Sequence, residues 1–245
     1  MADLPSIVII DRTHQDPNLL QEVASALQIQ AMRDFAQPSP NGWGLAATVR
    51  VETARMPLRK SEWPLYLLAE ADEPDALGYH DESADNVPIL KIFPLLDAAD
   101  GTPWSVTASH EMVEALADPL LSRCVQAPDG RIWSMETADP CENDVYDIHG
   151  LQVSNFVLPA WFEPPKNKAG AKYDFLGKLT KPFSIRPGGY AQYLSSRGWV
   201  SVYGPQVRSQ RKTRPGRLMR RAARLLPDSE TTLPDMVVPD AKNDG

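Results

Sequence analysis

Proline sets the first constraint on this chain. Its 245 residues include 23 prolines against 14 glycines. Each proline fixes φ at about −65° and removes a backbone donor, so it ends or kinks a helix and is barred from the middle of a sheet. Short elements joined by rigid turns are therefore expected, and long uninterrupted helices are not. Apolar residues make up 42% of the chain, the composition of a globular protein with its own core. The length suits one sizeable domain, with or without tails.

Between the prolines the pattern resolves into elements. Ser6 to Ile10 is a β-branched run and reads as a strand. Asp16-Pro17 opens a helix that places Leu19, Leu20, Val23, Leu27 and Met32 on its apolar side and ends before Pro38-Ser39-Pro40-Asn41-Gly42. Ala46 to Val51 and Trp63 to Leu68 read as strands. Ala76 to His80 and Ile89 to Phe93 read as two more, joined as a hairpin across the polar turn Asp81 to Val87. A second helix has sharp bounds. Thr102 suits the N-cap and Pro103 the first helical position, and Asp118-Pro119 stops the helix because the residue before a proline avoids helical geometry.

Further on, Arg131 to Trp133 and Leu151 to Val153 read as short strands, and Phe156 to Phe162 as core. Residues 163–190 read as an irregular surface segment, and Ala191 to Tyr203 as the last ordered piece. The expected division is a domain over 1–204 and a tail over 205–245, first basic and then acidic, that reads as disordered. The basic part, 207–224, has a helical pattern around Leu218 to Leu226.

The net charge of −7 argues against a nucleic-acid binder overall. The basic stretch reads as a solvated tail, with nucleic-acid contact as the alternative. No signal peptide and no run of about 20 apolar residues is seen, so no membrane role is expected and a cytoplasmic location fits. Cys124 and Cys141 can form at most one disulfide and cannot make a four-cysteine metal site. In a reducing compartment they are free. There is no G-x-S-x-G, and neither cysteine has a clear histidine partner, so a serine or cysteine nucleophile finds no support.

The chemistry concentrates on the second helix, in Ser109-His110-Glu111-Met112-Val113-Glu114. Positions i and i+4 share one face, so His110 and Glu114 can hold one ion together, with Glu111 on the flank. This is the arrangement of H-E-x-x-H, in which the outer residues bind zinc and the inner glutamate is the general base. Glu114 stands in the place of the second histidine. A carboxylate there offsets some of the ion's charge, weakens its Lewis acidity and makes harder divalent ions competitive with Zn2+. A third protein ligand is needed. Glu136 is one candidate. Asp139 is another, either as ligand or as the acceptor that orients His110. Asp118 sits about 80° off the ligand axis, and can instead cap the following loop.

Ser109-His110-Glu111-x-x-Glu114-x-x-x-Asp118-Pro119, followed by Glu136-x-x-Asp139-x-Cys141, resembles a group of bacterial and phage zincin-like metallopeptidases. The resemblance runs from Ala76 to Phe162. It implies an α+β, zincin-like fold, with a twisted mixed sheet packed on an active-site helix and an irregular C-terminal part. It also implies His110, Glu114 and Glu136 as metal ligands, Glu111 as base, and a peptide or protein substrate. In zincins an edge strand beside the helix pairs with the substrate, a place from which His80 or Tyr79 can polarise a carbonyl. The plainer reading of His80 is a half-exposed strand histidine. His14 and His149 read as surface residues in turns, and Trp104, Trp133 and Trp161 as core. Two further functional readings stand beside the peptidase: a non-catalytic zincin-like scaffold, for example in a phage particle, and a nucleic-acid-associated protein acting through its basic tail.

Overall fold

The computed structural model describes residues 4–52, 57–59, 61–73, 76–165, 170–196 and 198–205. The expected tail, including the basic stretch 207–224 and its helical pattern, lies outside the described residues.

The first half is a mixed sheet with helices on one face. β1 (Ser6–Asp11), β2 (Thr48–Val51), β3 (Glu62–Leu67), β4 (Gly78–Glu82) and β5 (Pro88–Ile92) are ordered β2-β1-β3-β5-β4. The pairs β1–β2, β1–β3 and β3–β5 are parallel, and β4 closes one edge antiparallel to β5. The sequence pattern anticipates each of these strands to within a few residues, and the β4–β5 hairpin as well. Alternation sorts their side chains. Ile7, Ile9, Leu65, Leu67, Leu90 and Ile92 enter one core with Leu20, Val23 and Leu27 of α1 (Pro17–Ile29). The Asp16 carboxylate caps α1 by accepting from the N–H groups of Asn18 and Leu19. A π-helical segment, Gln30–Phe35, continues it.

One short element leads to the central helix. α2 (Pro94–Asp100), absent from the sequence reading, ends at Gly101 with φ of 75°, a left-handed conformation that glycine adopts without strain. α3 spans Trp104–Ala117. Its start corrects the expected cap: Pro103 itself occupies the cap position with extended backbone, and the Thr102 hydroxyl turns back to Asp100. All residues of α3 are buried. A helix buried all round needs cover on every side. The sheet supplies one side through β4 and β5. A hairpin of β8 (Val145–Ile148) and β9 (Leu151–Ser154) supplies another. There the Ser105 hydroxyl donates to Gln152 O, and Ser109 Oγ accepts the Ser154 N–H.

The second half is a smaller lobe. β6 (Cys124–Gln126), β7 (Ile132–Ser134), β10 (Tyr190–Ser195) and β11 (Gly198–Tyr203) form an antiparallel sheet ordered β11-β10-β7-β6. α4 (Pro159–Phe162) packs Trp161 and Phe162 against Trp133, Tyr173, Phe183 and Tyr193. The described residues 163–165 and 170–189 are irregular as expected, but they are not merely surface: Tyr173, Asp174 and Leu179 are buried. Cys124 and Cys141 are both free thiols. Among the described residues, no helix is long and apolar enough to cross a membrane.

Candidate metal centre

α3 brings His110 and Glu114 to one face, as the spacing requires. His110 Nε2 lies 3.4 Å from Glu114 Oε1 and 3.2 Å from Asp139 Oδ1. Asp139 opens a 3-10 turn, Asp139–Cys141, that the second lobe holds in place. Pro140 O accepts the Arg186 N–H at 2.8 Å. Gly189 lies so close that a Cβ built on it would meet the carbonyl oxygens of Asp139 and Pro140 at 2.7 Å. The same stretch of chain reaches Glu114, whose Oε1 accepts the Ala138 N–H at 3.3 Å.

β4 closes the other side. Pairing of His80 with Leu90 puts the His80 ring on the face of the sheet that carries α3. His80 Nδ1 lies 3.3 Å from Glu111 Oε2 and 3.7 Å from Glu114 Oε2. His80 is fully buried, which corrects its reading as a half-exposed strand histidine. The close approach of β4 to α3 depends on Gly78, where a Cβ would meet Thr107 Cγ2 at 2.5 Å. Tyr79, one residue on, faces the opposite side of the sheet. It packs on Phe93, and its hydroxyl donates to Asp72 and accepts from Lys91.

Two three-residue groups result, His110–Glu114–Asp139 and His80–Glu111–Glu114, each with ligand atoms within 4.8 Å of one another. Glu114 belongs to both, with Oε1 turned to His110 and Oε2 to His80. Among the described residues, Glu136 falls in neither group. It is buried, near enough for its charge to act on Glu114. Asp118 is also buried, but its carboxylate accepts from the N–H groups of Ser122 and Arg123 and caps the loop after α3. His14 and His149 are exposed, as expected.

The electrostatics reflect carboxylates crowded away from water. Burial and the charges of Asp139 and Glu136 push the Glu114 carboxyl well above the usual range, against the opposing pull of His110. Burial alone would lower the His110 pKa, but the charge of Glu114 and the bonds to Asp139 and Glu114 outweigh it and hold the imidazole well above its ordinary value. Burial and the charges of Asp174 and Asp144 likewise push the Cys141 thiol up, so this cysteine stays neutral beside the site.

The donor set fits a divalent cation. Around a tetrahedral ion with ligand bonds of about 2.05 Å, adjacent ligand atoms are about 3.3 Å apart. The His110 contacts match that edge, and both exceed the 2.7–2.9 Å typical of a direct charged hydrogen bond. No protein family, curated protein or solved structure matches the chain.

The sequence reading did not anticipate the depth of His80 or the role of Gly189. For His80 a local signal exists, since alternation through Gly78 and His80 lines up one face of β4. Gly189 is 50 residues beyond Asp139 in the chain, and no local pattern joins them.

Proposed function

We propose that this chain is a metal-dependent hydrolase of zincin-like design that cleaves peptide bonds. The observation that carries the reading is the His110–Glu114–Asp139 group at ligand-edge spacing, with Glu111 beside it on the same helix. His110 and Glu114 would hold the ion, with Asp139 the third ligand favoured by distance and Glu136 adding negative charge nearby. A bound Zn2+ or similar ion supplies Lewis acidity toward a scissile carbonyl and lowers the pKa of a bound water. Glu111 would take a proton from the attacking water and deliver it to the leaving amine. His80 packs against the Glu111 carboxylate and limits its rotation. The antiparallel edge strand β4 beside the site is consistent with the zincin-like arrangement.

The test uses full-length protein loaded with one equivalent of zinc on a quenched-fluorescent peptide library. Wild type is expected to cleave, and Glu111→Gln to lose about 10²-fold or more in rate while keeping its metal. A Glu111→Gln protein with full activity would remove Glu111 from the mechanism.

Burial favours one second reading. His110, Glu111, Glu114, Glu136 and Asp139 are each at most 6% exposed, which suits an ion that fastens α3 to the second lobe in a non-catalytic scaffold. That reading expects chelation to lower the melting temperature of a wild type that cleaves nothing.

A further inference from the structure

The proposed hydrolytic centre uses one of the two ligand groups. The other, His80–Glu111–Glu114, has the same chemistry: one imidazole and two carboxylates, from two elements packed face to face. His80 and Glu114 have no exposed surface, and Glu111 is only 4% exposed. His80 Nδ1 to Glu111 Oε2 is 3.3 Å, again the edge length of a tetrahedral ligand set, and the 3.7 Å to Glu114 Oε2 is slightly slack. The two oxygens of Glu114 point to different histidines, as a carboxylate does when it bridges two ions about 3.5–4 Å apart. Charge is consistent with this. Fully ionised, Glu111, Glu114, Glu136 and Asp139 would carry four negative charges in one buried region. One divalent ion offsets half of that, and two offset all of it. A buried charge left uncompensated is strongly unfavourable.

We infer that the chain binds a second divalent cation at His80, Glu111 and Glu114, sharing Glu114 with the first, and that this ion is inhibitory. It is the weaker of the two for a physical reason: it enters beside a bound dication and competes for a carboxylate already engaged. Its ligands include Glu111 Oε2. Once the second ion is seated, the carboxylate assigned to proton transfer is neutralised and immobilised. Metal-dependent hydrolysis should then rise as the first site fills and fall as the second fills. The inhibitory part rests on the hydrolase reading above; the second site itself does not.

The experiment is zinc binding by equilibrium dialysis with elemental analysis, on the full-length chain, alongside Mn2+ electron paramagnetic resonance. Wild type is expected to saturate at two zinc ions per chain in two separable steps, and His80→Gln at one. Two Mn2+ ions that share a carboxylate should give an exchange-coupled spectrum rather than the six lines of isolated ions, a wild-type readout that stands even if His80→Gln misfolds. Wild-type peptide cleavage should drop roughly 10²-fold, the worth of a general base, across the second binding step. Saturation at one ion, with only isolated Mn2+ lines, overturns the second site and leaves the hydrolase reading intact. No bound ion at all overturns both. Two bound ions with undiminished cleavage overturn the inhibitory role.

Discussion

Asp118 separates a ligand from a cap by a single substitution. Its side chain is fully buried, with Oδ1 accepting the Ser122 N–H at 2.8 Å and Oδ2 the Arg123 N–H at 3.0 Å. Asp118→Ala leaves two backbone donors without an acceptor beneath the loop that follows α3. At about 1.5–2 kcal/mol for each stranded donor, the loss is about 3–4 kcal/mol. For a chain of this size, where 1 kcal/mol moves the midpoint by about 2–4 °C, the melting temperature should fall by roughly 6–16 °C. Asp118→Asn keeps one acceptor oxygen and should cost about half as much. Melting is followed by circular dichroism, and metal by elemental analysis of the same samples. Both variants should bind as much zinc as wild type at a temperature where they remain folded. An Asp118→Asn protein that melts like wild type but has lost its zinc would refute the cap and make Asp118 a ligand.

Other expectations follow from the same geometry. The Glu114 and His110 pKa values are both raised, so without metal the folded protein holds protons that the unfolded chain releases. Stability conferred this way is complete at low pH and is lost as pH rises through the folded-state values. In excess chelator the melting temperature should therefore fall from about pH 5 upward, most clearly above the ordinary histidine value of about 6.5, and Glu114→Gln should flatten the slope; a chelated protein that grows more stable over that range contradicts the assignment. Gly189→Ala should weaken zinc binding about 10–100-fold by displacing the turn that carries Asp139, as read by competition with a chromogenic chelator; unchanged affinity would mean that Asp139 is not a ligand. Gly78→Ala should cost about 1–3 kcal/mol by denaturant unfolding, because Thr107, whose hydroxyl donates to Asp97 at 2.6 Å, cannot turn aside from the new methyl group. A fully stable Gly78→Ala protein would show that β4 and α3 have room to part.

Local rules carried much of the fold. Asp16-Pro17 and Asp118-Pro119 mark helix ends because capping and proline sterics act over a few residues. Apolar runs mark β1, β3 and β5 because strands in the middle of a buried sheet are apolar along much of their length. The same rules missed α2, whose Leu95 and Leu96 are exposed, so no apolar face announces it. They also missed β6 and β8, whose alternation is broken by polar residues. At the site, the i, i+4 relation of His110 and Glu114 was legible, and so was the downstream segment that packs against them. Spacing alone left Glu136 and Asp139 open and the resemblance implied Glu136, whereas it is Asp139 whose carboxylate lies 3.2 Å from His110. Which of them reaches His110 depends on a turn braced by Arg186 and Gly189, a tertiary contact with no local trace. The depth of His80 depends on where α3 lies across the sheet, which no single segment encodes.

That brace also bears on how the protein is made. His80, His110 and Glu114 leave the ribosome well before the residues that hold the Asp139 turn. Glu114 precedes Gly189 by 75 residues, about 4–15 s of synthesis at 5–20 residues per second. Throughout that interval the nascent chain carries both imidazoles and the central helix without the buttress that positions Asp139. A growing chain of this design therefore cannot bring Asp139 to its place beside His110 until its second lobe has been translated and docked.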